Sequence, residues 1–142
     1  MKPAVERRNS KILRIVGIIL MVFVAIGALP AGYSFITDPS GSGLGATTEA
    51  LKYSPFSDFL VPGIVLFTCN GILNLLTAAL SIWKVRHYPY FIFAQGSILV
   101  GWIAFQVAFL QLFNWYHLVF GSIGIVLLVI GGLLMREKAD QA

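Results

Sequence analysis

The chain has 142 residues, 58% of them hydrophobic and 11% charged, with a net charge of +4 and a mean hydropathy of +0.85. That balance excludes an ordinary water-soluble domain, and the basic residues form no aromatic-studded patch of the kind that binds nucleic acid. Their charge instead reports topology and attraction to anionic headgroups. The one cysteine, Cys69, excludes an internal disulfide and the thiol pair of a membrane thiol oxidoreductase.

A helix of about 20 apolar residues crosses a hydrocarbon core roughly 30 Å thick, and four such stretches fit this chain. The first is expected over about 12–32, with Arg14 close enough to its start to snorkel toward the headgroups. Basic residues precede it as in a secretory signal. The run is nevertheless longer than a signal core of about 7–15 residues, and cleavage after Ala31 would place Leu29 where a small residue is needed. Ala25, Ala28 and Gly32 give this helix a small face.

An outer loop follows over about 34–57. Asp38-Pro39-Ser40-Gly41 has the residue choices of a type I turn. Thr47 or Thr48 is suited to cap a short helix through Tyr53 that stops before Pro55. Leu44, Leu51 and Phe56 are expected to press the segment onto the helices. The loop either closes the outer end of the bundle or offers Asp38, Glu49 and Asp58 as contacts to a partner.

The second span is expected over about 59–83. Gly63, Phe67, Asn70, Asn74, Thr77 and Ser81 recur at alternating spacings of four and three, which puts them on one stripe. Asn70 and Asn74 lie in mid-membrane, where an unpaired amide costs several kcal/mol. They are expected either to bond Gln95, Gln106 or backbone carbonyls as interhelical glue, or to line a polar pocket for a ligand. Cys69 reads as a small buried apolar residue.

No charge occurs from Tyr88 to Met135, and Asn114-Trp115-Tyr116-His117 is the polar break near the middle. A tight hairpin is therefore expected, with spans of about 90–112 and 117–135. In the third span Ala94, Ser97, Gly101, Ala104 and Ala108 make a small stripe. Gln95, Trp102 and Gln106 share a side roughly 100° away, either lining a cavity for a flat apolar molecule or forming a second seam. Gly121, Gly124 and Gly131 mark the seam of the fourth span. Small and polar residues are what helix association in lipid requires.

Lys2, Arg7, Arg8, Lys11 and Arg14 precede the first span, Lys84 and Arg86 separate the second from the third, and Arg136 and Lys138 follow the fourth. Lys52 alone falls on the other side, so both termini are expected in the cytoplasm and the loop outside. His87 and His117 then belong to opposite faces and cannot share a metal or haem within one chain; His117 is expected at the interface beside Trp115 and Tyr116. Every residue between the interfaces is neutral, which argues against proton-coupled export. The two helical pairs differ in loop length and polar content, so no inverted repeat is expected.

Asp38-Pro39-Ser40-Gly41 with Leu44-Gly45, then Leu51, Ser54-Pro55-Phe56, Asp58 and Pro62-Gly63, resemble an uncharacterised family of small bacterial four-span membrane proteins. Gly101-Trp102-Ile103 with Gln106, and Tyr116 with Gly121, are similar too, so the resemblance covers nearly the whole chain. It implies a bacterial inner-membrane location and gives weight to the outer loop. It implies no activity and carries over no catalytic residue.

The expectation is an all-α membrane protein forming one domain, an up-down-up-down bundle of four transmembrane helices with both termini cytoplasmic. No catalytic residue, metal or cofactor is expected. A non-enzymatic accessory or interaction subunit fits best, with the lipid bilayer and a second copy or another membrane protein as partners. The alternative is a binder or carrier of a small apolar molecule, a lipid or quinone, held between the second and third helices by Asn70, Asn74, Gln95, Trp102 and Gln106.

Overall fold

The computed structural model describes residues 3–110 and 113–142. Among these residues there are no strands, and four helices are long and apolar enough to cross a membrane: α1 (Ala4–Thr37), α2 (Leu60–Ile82), α3 (Tyr88–Leu110) and α4 (Trp115–Ala139). A helix satisfies its own backbone hydrogen bonds, which hydrocarbon demands. Phe23, Ile26, Leu76, Ile125 and Val129 face outward and are exposed, as lipid-facing side chains should be.

Consecutive helices run antiparallel. Arg14, near the start of α1, donates from Nη1 to the Ser81 carbonyl near the end of α2 at 3.0 Å. Lys138, near the end of α4, donates to the Arg86 carbonyl and sits 4.8 Å over the Tyr88 ring at the start of α3. One end of the bundle therefore gathers the basic residues, and the other carries the loop. The expected up-down-up-down order is present.

The helix ends differ from the apolar boundaries for local reasons. α1 has 34 residues, about 51 Å at 1.5 Å each, and overruns 12–32 on both sides. Its charged first turns are tied down: the Ser10 hydroxyl donates to the Glu6 carbonyl and to the Glu137 carboxylate of α4. The expected third-span end at Leu112 lies outside the described residues. α4 begins at Trp115 rather than 117, because the Asn114 N–H donates to His117 Nδ1 at 3.0 Å and closes the first turn.

α2 contains a wide π segment, Leu66–Ile72, in which the Leu73 N–H reaches back five residues to the Thr68 carbonyl. The helix ends in a Schellman closure: Val85 N–H bonds the Leu80 carbonyl at 3.0 Å and Lys84 N–H the Ser81 carbonyl at 3.3 Å. Lys84 takes φ 54° to make it, the left-handed position usually given to glycine.

Two helix pairs are held by close backbone approach. α1 lies along α2, where a Cβ added to Gly32 would come within 2.7 Å of the Phe67 backbone nitrogen. α3 lies along α4, where a Cβ on Gly96 or Gly131 would meet the Leu128 or Phe93 backbone nitrogen at 2.6 Å. The expected small faces of α1 and α2 are buried except for half-buried Phe67, as are Gly124 and Gly131 of α4, whereas Gly121 is half-buried and a Cβ there would only touch Ile103 at 3.6 Å. The expected seam of α3 is not a seam within this chain. Ala94, Ser97, Gly101, Ala104 and Ala108 are all exposed, and Gly96 makes the close approach instead. The Val100 side chain fits against Gly124 and the Phe93 backbone against Gly131, with the Phe93 ring turned outward, so α3 needs only one small residue there.

The loop is ordered by its own turns. The Gly41 N–H bonds the Asp38 carbonyl at 3.0 Å, closing the expected turn, with Gly41 at φ 80°. Two short 3₁₀ helices follow, Ser42–Leu44 and Thr48–Leu51, the second in place of the expected helix through Tyr53. Leu51 is buried, Phe59 stacks on Phe35 at 4.7 Å, and Phe56 meets Phe105 of α3 edge-on at 5.9 Å. Leu44 is 49% exposed and does not press on the bundle, contrary to expectation.

A candidate intramembrane ligand site

Within the apolar span, side chains interlock most closely from mid-bundle toward the basic end, and two apolar clefts open between the helices nearer the loop. Met21, Ala78, Tyr88, Ile92, Leu127, Ile130 and Leu134 form an apolar core that runs from mid-bundle to the basic end. Nearer the loop the helices leave a half-open cavity of about 180 Å³ bordered by all four, walled by residues that include Ala28 of α1, Leu66 and Asn70 of α2, Trp102 and Gln106 of α3, and Tyr116 and Phe120 of α4. A second cavity of about 290 Å³ lies between α2, α3 and the loop, with Phe56, Pro62 and Phe105 on its walls. Asn70 and Trp102 line both. They stand at the boundary between the two spaces.

Asn70 is 1% exposed, and neither its amide nitrogen nor its amide oxygen has a hydrogen-bond partner. Leaving a buried polar group unpaired costs about 1–3 kcal/mol, so two orphaned atoms on one side chain are a substantial local cost. Asn70 sits within the π segment, and such wide turns appear frequently at functional sites.

Of the residues expected to act together, the structure unites Asn70, Trp102 and Gln106 and separates the other two. Asn74 is fully buried; its Nδ2 donates to the Asn70 backbone carbonyl at 2.9 Å, within its own helix, while its Oδ1 is unpartnered. Gln95 is buried with Oε1 unpartnered, and neither residue is among those lining the two cavities. Height explains this. Gln95 is eleven residues, roughly 16 Å of rise, from Gln106, and so falls in the packed half. No side-chain bond links Asn70 or Asn74 to either glutamine among the described residues, so the expected interhelical amide glue is absent.

The expected loop contacts are largely used inside the loop. Asp38 accepts from the Ser40 and Ser42 hydroxyls and from the Gly43 N–H at 3.0 Å, which hold its carboxyl down at about 2. Asp58 accepts from the Leu60 N–H at 2.9 Å and caps the start of α2. Glu49 is exposed.

Tyr116 was legible only as an interfacial aromatic, yet it lines the inner cavity, and its hydroxyl accepts from Asn114 Nδ2 at 3.3 Å. Its own proton is left to donate. His117, expected at the interface, is 1% exposed, rests on the Tyr116 ring at 4.3 Å and leaves Nε2 unpartnered. Among the described residues no group of three or more His, Cys, Asp or Glu side chains is placed to hold a metal ion.

The arrangement can therefore accept an apolar body and offer it an amide donor and acceptor at Asn70, a second amide at Gln106, a phenol at Tyr116 and an indole face at Trp102. Trp102 is itself stacked on Phe105 at 5.8 Å. No protein-family model matches the chain, and no curated protein or solved structure is significantly similar to it.

Proposed function

We propose that this is a membrane protein that binds or carries a small apolar molecule with one hydrogen-bonding end, of the lipid or quinone class, in the hollow half of its bundle. The observation that carries the proposal is the Asn70 amide, buried and unpartnered at the boundary of two largely apolar cavities. A ligand carbonyl or hydroxyl there would satisfy the orphaned atoms, and the ring of Trp102 would lie beside its body. The function is non-enzymatic: Tyr116 and Cys69 are the titratable side chains among the described wall residues, and they line different cavities. The protein resides in a bacterial inner membrane with both termini cytoplasmic, in keeping with its basic residues.

The test is native mass spectrometry of the protein extracted gently from its own membrane, with Asn70→Leu alongside. A discrete apolar adduct on the wild type that is lost from Asn70→Leu supports the proposal. An adduct-free protein, or one carrying bulk phospholipid equally in both forms, defeats it.

One observation favours a second role, as an accessory subunit. The small stripe of α3, Ala94 to Ala108, is exposed on the bundle's surface, where another membrane helix could approach closely. Ala104→Leu, at an exposed position that lines neither cavity, would dissociate such an assembly, and the same spectra would read its stoichiometry.

A further inference from the structure

At the end of the bundle opposite the loop, Arg7, Lys11, Arg14, Lys84 and Lys138 line one open cleft of about 470 Å³, with Tyr88 at its side. Topology alone asks only that basic residues lie near the ends of spans. It does not ask them to converge. Here positions 7, 11 and 14 occupy successive turns of one α1 face, Lys84 comes from the α2–α3 turn and Lys138 from the last turn of α4. Ser10 also lines the cleft and donates to the Glu137 carboxylate, so one acidic group stands at its wall against five cations. One carboxylate does not balance five cations, so the cleft stays net positive and attracts a further anion.

Two of the five are positioned by the fold itself, Arg14 on the Ser81 carbonyl, and Lys138 on the Arg86 carbonyl and the Tyr88 ring. Lys84 supplies the independent observation. It occupies the left-handed closing position of α2 at φ 54°, where glycine is favoured and a side chain is strained. A lysine at that position gives up stability, and its side chain lines the cleft. The exposed apolar surface of α1 begins beside it, at Ile12 and Ile15. A free anion would gain only the charges, whereas one attached to acyl chains would gain both.

We propose that this cleft binds the phosphate group of an anionic membrane lipid, with Lys11, Lys84 and Lys138 on the phosphate and the acyl chains passing onto the apolar face of α1. It is a headgroup site, separate from the hollow at the loop end and independent of what that hollow holds.

The test is thermal unfolding of the delipidated full-length protein in neutral detergent, titrated with phosphatidylglycerol, phosphatidylcholine or inorganic phosphate. Phosphatidylglycerol should protect saturably, and the other two should not. Each cation removed should weaken that binding roughly fivefold, so Lys11→Gln with Lys84→Gly should weaken it roughly 25-fold. Lys84→Gly alone should melt higher than the wild type without lipid, yet bind phosphatidylglycerol less well. Equal protection by phosphatidylcholine overturns a charge-selective site, and equal protection by inorganic phosphate overturns the lipid assignment. A Lys84→Gly protein that binds as the wild type does, or melts lower, shows the lysine to be structural and overturns the proposal.

Discussion

At Asn70 the cost of burying an amide and the opportunity for a ligand are the same fact. Replacing it with leucine, of similar size, removes two unsatisfied polar atoms, so Asn70→Leu should unfold about 1–3 kcal/mol later than the ligand-free wild type. Detergent unfolding of delipidated samples checks this, and a marked destabilisation would mean the amide is paired in the membrane. Asp38 makes the opposite case, since its carboxylate is satisfied by Ser40, Ser42 and Gly43. Its folded value of about 2 lies below the ordinary 3.8, so its stabilisation is present above pH 3.8 and disappears as pH falls through 2. Asp38→Ala should therefore loosen the loop, seen as faster proteolysis near Ser42, at neutral pH. Compared by hydrogen exchange, the two proteins should converge at the acid limit. Asn70, Trp102 and Gln106 were individually visible in the sequence because polar and large aromatic residues are conspicuous in spans. Which of them meet was not visible, because spacing along a helix yields the face but not the depth at which the neighbouring helix is tightly packed.

Among the elements, small residues were a reliable sign of close approach in α1, α2 and α4 and a misleading one in α3. The reason is that a seam needs one small partner per contact, not two. The glycines of α4 receive Phe93 and Val100, which leaves the alanines of α3 facing outward. Glycines of the same helix should consequently respond in opposite ways. Gly131→Leu would drive a side chain into the Phe93 backbone, which a Cβ alone would approach to 2.6 Å, and should cost at least about 1–3 kcal/mol. Gly132→Ala meets nothing within 4 Å and should be neutral or stabilising by up to about 1 kcal/mol. Helicity against temperature in detergent reads both. The π segment had one weak sequence signature, the helix-disfavouring pair Asn70-Gly71, which does not by itself distinguish a wide turn from a packing contact.

For the whole molecule, the order of four antiparallel helices was legible because hydrocarbon thickness sets the length of each apolar run and the charge-free hairpin leaves a single place to turn. The uneven filling was not legible. A packed half and a hollow half have the same hydropathy, and only the depth of each side chain separates them. The proposed orientation rests on nine basic residues on one side and Lys52 on the other. A cysteine placed at residue 45 in a Cys69→Ala chain should react with an impermeant thiol reagent in intact cells. Protection at that site, with labelling of a cysteine near the C-terminus, would invert the topology.

The wide turn in α2 has a consequence for chain length. A π turn takes up about one residue more than an α turn between the same two ends, so α2 carries one residue beyond what its span needs. Deleting exposed Thr68 should let the helix relax to regular winding while Gly63 and Ser81 keep their places against α1. The shortened chain should fold, insert and run as the parent does, and it should carry Asn70 on a different bearing. Loss of a retained adduct from that shortened, folded chain would tie the binding of a guest to the bearing that one extra residue gives Asn70.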